Sequence, residues 1–311
     1  MPRLAMLLIY MAFVPNVAGG ADYPLEAREI APDTYVVEGR NEDFSVANGG
    51  AVVNVGFVVT SAGVVVVDTG PSAHFGQALR VLIRNITPLP VIRVYNTHHH
   101  PDHFLGNQAF PAGLIEAAPD SISAQQQEGP AFLDNMYRLL QHWASGTELQ
   151  PATRPSQGGR ADAGDHPLEV LLMRGHTAAD LVVFDHRTGV LFAGDLVFNS
   201  RAPTVPHADF AAWQASLDRL ATLPIRVLVP GHGPVSRDAV PLQQTADYLR
   251  WLDATLDAAA ADGLDATDLL ARPVDARFRG LAVIEAEYPR AVMQRFPEVE
   301  RRHLPASSPT P

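Results

Sequence analysis

Tyr95-Asn96-Thr97-His98-His99-His100-Pro101-Asp102-His103 follows directly on the apolar run that begins at Val91, and its reading decides the rest of the chain. The run has the β-branched character of a buried strand that stops at Asn96-Thr97, so the histidines fall in the loop at its C-terminal end. Packing does not account for imidazoles and a carboxylate at the spacing His-x-His-x-Asp-His, because such a cluster is costly in an apolar setting without a shared cation. The stretch is read as a metal site. Strand alternation aims His98 and His100 to one side, and Asp102 and His103 follow after the Pro101 bend, so each pair can serve its own ion. His99 points the opposite way and is expected behind the ligands or in solvent.

Working outward, residues 34–39 read as a short strand, and residues 51–60 and 63–68 as two apolar strands that end in Asp68-Thr69-Gly70. Phe75, Leu79, Leu82 and Ile83 form a helical face that Pro88 and Pro90 stop. Residues 114–117 read as a strand, and Phe132, Leu133, Met136, Leu139, Leu140 and Trp143 as a helical stripe facing the core. Residues 147–167 are rich in Pro, Gly and Ser, and are either an excursion between two halves or a lid. The second half repeats the rhythm. A strand at 168–173 ends in Gly175-His176-Thr177, a hairpin of 181–184 with 190–193 ends in Gly194-Asp195, and a strand at 225–229 ends in Pro230-Gly231-His232-Gly233. Helices are expected over 209–223 and 241–261, then a weaker stretch over 279–302 that Pro289 and Pro297 interrupt. Together this is an α/β layered fold with polar residues at strand ends.

Composition removes several classes of chemistry. All 23 basic residues are arginine, which excludes a lysine base or Schiff base, and there is no cysteine, which excludes thiolate ligands and thiol nucleophiles. Arg3, an apolar run over 4–14 and the small residues Ala18-Gly19-Gly20-Ala21 form the pattern of an export signal over 1–21, too short for a permanent span. The formal net charge is −11. No nucleic-acid partner is expected, because such binding needs concentrated positive charge.

Collecting the strand-end residues places His98, His100 and His176 on one ion and Asp102, His103 and His232 on another, with Asp195 able to bridge. Imidazoles with few carboxylates suit Zn²⁺, two per chain, better than Mg²⁺ or Ca²⁺. Asp68 is expected as a hydrogen-bond acceptor behind the ligands, Asp180 as a brace for the His176 loop, and Arg201 and His207 either against an anionic substrate or in solvent.

The ordered set His98-x-His100-x-Asp102-His103, Gly175-His176-Thr177, Gly194-Asp195 and Pro230-Gly231-His232-Gly233 resembles the metallo-β-lactamase superfamily from about Tyr35 to Val235, Val65-Val66-Val67-Asp68-Thr69-Gly70 included. The resemblance implies a four-layer αβ/βα sandwich with a binuclear metal centre at one edge of two sheets. Asp195 is similar to the bridging carboxylate of glyoxalase II and lactonases, whereas Ala178-Ala179-Asp180 departs from the glyoxalase II pattern. Residues 96–107 with Phe110, residues 192–203 and Trp213 are more narrowly similar to exported quinoprotein relay system zinc metallohydrolases.

What this implies is a signal peptide (1–21), a hydrolase domain including the C-terminal helices (22–304) and a disordered tail (305–311). The protein would be periplasmic, without stable membrane insertion, acting on a small-molecule substrate, with a periplasmic quinoprotein dehydrogenase as a possible partner. A water shared by two zinc ions, its pKa lowered from about 15.7 towards ~7, would attack an ester-like carbonyl, with Asp102 orienting it. Two alternatives stand beside this: a mononuclear iron dioxygenase of the persulfide type, and a non-catalytic accessory that binds a quinone cofactor or a dehydrogenase.

Overall fold

The computed structural model describes residues 23–303, so the segments expected as an export signal (1–21) and as a tail (305–311) lie outside the described residues. Among the described residues, twelve strands form two sheets. The first runs in the order β1 (Arg28–Ala31), β2 (Thr34–Val37), β3 (Val55–Thr60), β4 (Gly63–Val67), β5 (Val91–Tyr95), β6 (Ile115–Ala117) and β7 (Arg154–Pro155). It is antiparallel through β4 and parallel from there on. The second runs β12 (Val227–His232), β11 (Val190–Phe198), β10 (Asp180–Asp185), β9 (Leu168–Met173) and β8 (Gly159–Ala161).

The alternation in β4 shows why the layers form. Val65 and Val67 pack inward with Val36, Val58 and Tyr95 against Leu181, Val183, Phe192 and Val229 of the second sheet. Val64 and Val66 face the other way, onto Phe75, Leu79 and Ile83 of helix α1 (Ala73–Ile86). A strand buried on both faces reads as an unbroken valine run, as this one does. The outer face of the second sheet is covered by α4 (Phe210–Ala221), α5 (Val240–Ala261) and α7 (Ile284–His303). The architecture is therefore helix, sheet, sheet, helix, the expected αβ/βα sandwich. Among the described residues no helix is long and apolar enough to cross a membrane.

Several boundaries differ from the sequence reading. Residues 51–54 are turn and loop rather than the start of β3. Asp195 lies inside β11, which continues to Phe198 past a bulge at Gly194, where φ is +51°. Helix α7 runs through Pro289 and Pro297 without a break, because burial of Tyr288, Val292 and Phe296 among α5 residues offsets the lost backbone hydrogen bonds. Helix α3 (Pro119–Leu140) starts well before its apolar stripe, and within the stripe Phe132 and Leu133 are only half-buried and Leu139 is exposed. The short α2 (Pro101–Phe104) and α6 (Ala266–Leu270), and the edge strand β1, carry too little periodicity to be seen in advance. The 147–167 segment gives β7 to one sheet and β8 to the other, which makes it the crossing between the two halves.

Candidate metal centre

The candidate side chains are delivered by strand ends and the loops that follow them, by the bulge in β11 and by the short helix α2. β5 leads to His98 and His100, and α2 turns Asp102 and His103 back towards them, with Pro101 at its first position, where a missing N–H costs nothing. Asp68, at φ +64° after β4, accepts hydrogen bonds from the Thr97 amide (2.8 Å), the Thr97 hydroxyl (2.9 Å) and His103 Nδ1 (2.8 Å). Asn96 and Asn107 exchange side-chain bonds of 3.0 and 2.9 Å, which fixes the loop from below. Asp180 accepts from the Thr177 amide and hydroxyl and so braces the His176 turn. His232 Nδ1 is held by the Val52 carbonyl at 2.8 Å.

The seven side chains converge on one buried point, with Asp195 at its centre. Its Oδ2 lies 3.4 Å from His176 Nε2 and 3.9 Å from His98 Nε2, while its Oδ1 lies 3.2 Å from His103 Nε2 and 3.4 Å from His232 Nε2. Asp102 Oδ2 is 3.3 Å from His232 Nε2 and 3.7 Å from His103 Nε2, and His100 Nδ1 is 2.9 Å from His176 Nε2. Tetrahedral zinc with bonds of about 2.0–2.1 Å sets neighbouring donor atoms ~3.3 Å apart. Two donor groups thus stand side by side, His98, His100, His176 with Asp195, and Asp102, His103 with His232.

The buried atoms His98 Nε2, His103 Nε2, Asp102 Oδ2 and Asp195 Oδ1 have no hydrogen-bond partner. Orphaned polar atoms are rare in protein interiors, and these all face one another, so the donor set fits cations. Protonation divides the site in the same way. Burial, then the neighbouring imidazoles, drive His98 and His100 well below the ordinary histidine value, and His176 falls to about 4, chiefly through burial. These rings are neutral, as ligation requires. In the other half burial is outweighed by Asp195 and its neighbouring carboxylates and hydrogen bonds, which hold His103 well above its ordinary value and His232 at about 9.

Behind the donors, His100 Nε2 lies 2.9 Å from His207 Nδ1, and His207 Nε2 lies 3.4 Å from Glu128 Oε2 on α3. With His100 turning Nδ1 to the centre, its Nε2–H donates to His207, whose own N–H faces the carboxylate. His207 therefore supports a donor residue. His99 is buried at 4 % exposure, with Nε2 3.7 Å from Glu128 Oε1, so it sits behind the site and not in solvent. Arg201 is also buried rather than solvated. The cleft beside the donors, a cavity of about 120 Å³, is lined by His100, Asp102, Asp195 and His232 together with Phe44, Thr204 and the charged residues Asp43, Arg201, Glu287 and Arg290. Glu128, Asp43, Glu287 and Arg290 escaped the sequence reading, because each sits alone in a helix or loop with no motif around it.

Residues 48–232 match the family model of the metallo-beta-lactamase superfamily, and the chain belongs to that superfamily. Among curated relatives, the hydroxyacylglutathione hydrolase of Hahella chejuensis is 30 % identical over 168 residues, covering 51 % of this chain and 52 % of that protein. The acyl-coenzyme A thioesterase MBLAC2 of Gallus gallus is 28 % identical over 159 residues, 47 % and 57 % of the two chains. The chain spans about half the length of the curated relatives it matches. Among solved structures, a metallo-beta-lactamase from Pontibacter korlensis superposes with a TM-score of 0.56 at 25 % identity, covering 73 % of this chain and 99 % of that one.

Proposed function

We propose that this protein is an exported hydrolase that holds two zinc ions and cleaves an ester-like bond of a small molecule. The observation that carries the reading is the division of the Asp195 carboxylate, one oxygen facing His98 and His176, the other His103 and His232. His98, His100 and His176 would hold one ion, Asp102, His103 and His232 the second, and Asp195 both. Two ions so held would supply an acidified water and polarise the scissile carbonyl. The protein's own part is to fix the donors through Asp68, His207 and the Val52 carbonyl, to keep the centre dry, and to offer Asp102 as acceptor for the attacking water's proton. The names of two relatives, an acyl-coenzyme A thioesterase and a hydroxyacylglutathione hydrolase, favour an acyl ester or thioester within this class. Export and association with a periplasmic quinoprotein dehydrogenase are supported by the N-terminal pattern and by the narrower resemblance of residues 96–107 and 192–203.

The test is turnover of a panel of thioesters, lactones and a cephalosporin by protein of measured metal content. Cleavage of any member that is lost with chelation supports the reading. One iron per chain with oxygen uptake would replace it with the dioxygenase, and bound zinc without turnover with the accessory protein.

A further inference from the structure

The two sheets part beside the start of α3. On the inner face of β9, Leu168 and Val170 are buried in the core between the sheets, whereas Leu172, the next residue on that face, is 37 % exposed. Leu172 lines a cavity of about 660 Å³ that shares no lining residue with the cleft at the metal donors. Its walls are the first residues of α3, Leu172 and Met173 at the end of β9, Ala178 and Ala179 just beyond His176, and Ala212 and Ala215 of α4. Small side chains on two of these walls leave the space open. Small-molecule sites run from about 300 to 1,000 Å³ and are mostly apolar with a few placed polar groups. This cavity has that size and that lining.

Three charged side chains border it, Asp120, Arg174 and Arg219. Asp120 stands in the first turn of α3, where the positive end of the helix balances it. Arg174 is paired with Asp209 at 2.9 Å. Arg219 makes no ion pair among the described residues, and its one polar contact is from Nη1 to Met173 Sδ at 3.7 Å, a weak acceptor. The guanidinium therefore rests against the apolar floor with the rest of its donor fork open to an anion, and that fork matches a carboxylate in shape and charge.

We propose that this cavity is a second ligand site, for a monocarboxylic acid with an apolar chain of medium length. The chain lies along Leu172 and the alanines, and the carboxylate pairs with Arg219. The site stands independently of the hydrolase reading. Arg174 and Ala178 flank the Gly175-His176-Thr177 turn, so an occupant touches the chain on both sides of one metal donor.

The experiment titrates the full, zinc-loaded chain calorimetrically with hexanoate, octanoate and decanoate, and with decanol, all below their micelle concentrations. The wild type is compared with Arg219→Gln, with Ala215→Phe, which fills the cavity from α4, and with Leu172→Glu, which sets a like charge on its floor. Circular dichroism checks that each variant is folded. Affinity in the wild type should rise about 4-fold per methylene, the worth of a buried CH₂. Arg219→Gln should weaken decanoate about 2- to 5-fold, the strength of an ion pair at a wet rim, and leave decanol unchanged. Ala215→Phe and Leu172→Glu should each remove the dependence on chain length. Affinity that is flat across the series, or that survives both wall substitutions, would overturn the proposal and place the acid elsewhere, the metal donors included. Decanoate affinity unchanged in Arg219→Gln would overturn the carboxylate assignment.

Discussion

His100 and His207 meet ring to ring, Nε2 to Nδ1 at 2.9 Å, so the imidazole that turns its Nδ1 to the metal donors is pinned from behind by a residue 107 positions later. Partners of this kind fix the tautomer and orientation of a ligand, and losing one typically lowers metal affinity about 10- to 100-fold. His207→Ala is expected to weaken the zinc at His98, His100 and His176 within that range, with Glu128→Gln giving a smaller loss. Chelator competition on each variant measures it. Unchanged affinity in His207→Ala would show that the contact does not position His100.

Asp68 performs the same service for His103 and also carries the Thr97 backbone. Asp68→Ala leaves a buried amide and a buried imidazole without an acceptor and should cost about 3–5 kcal/mol, as breaking a buried charged pair does. Urea unfolding of the metal-loaded protein checks the value. Asp68→Asn, of the same shape, should unfold closer to the wild type while still losing metal.

Gly231 has no side chain because Asp195 needs the space. A Cβ there would land on Asp195 Oδ1. Gly231→Ala should therefore displace the shared carboxylate and lower zinc content while the sheets stay folded, which elemental analysis and circular dichroism together resolve.

Away from the centre, buried His166 bonds Asp185 at 2.8 Å. Burial alone would raise the Asp185 carboxyl, but bonds from His166, Thr188 and the Arg187 amide outweigh it and hold the group below the usual carboxylate range. Its folded value thus lies under the unfolded one of about 3.9. The stability it contributes is complete above that pH and is lost as pH falls through the folded value. Asp185→Asn should lower stability at pH 7 by about 1.5–3 kcal/mol, and the gap to the wild type should close in acid below pH ~4. A gap that stays constant down to pH ~2 would contradict this assignment.

The layered fold and the convergence of the seven side chains were legible because most of them follow closely on an apolar run, and such runs announce their burial, although Asp195 proved to lie within β11 and not at its end. The support behind them was not. Glu128 lies in a helix with unremarkable neighbours, His207 in an irregular loop, and only the three-dimensional path brings them to His100. For His99 the two expected places, behind the ligands or in solvent, were left open for a related reason: strand alternation gave its direction away from the donors, but not that α3 covers that side. The prolines of α7 argued for a break that packing against α5 overrules, since local propensity yields where a buried face repeats through it.

The most direct test of the central claim is the zinc content of the wild type and of Asp195→Ala, purified without added metal. The arrangement predicts close to two zinc ions per chain in the wild type and fewer than one in the variant, because the removed carboxylate faces both donor groups. A single ion in the wild type, or two ions retained without Asp195, would contradict a shared centre.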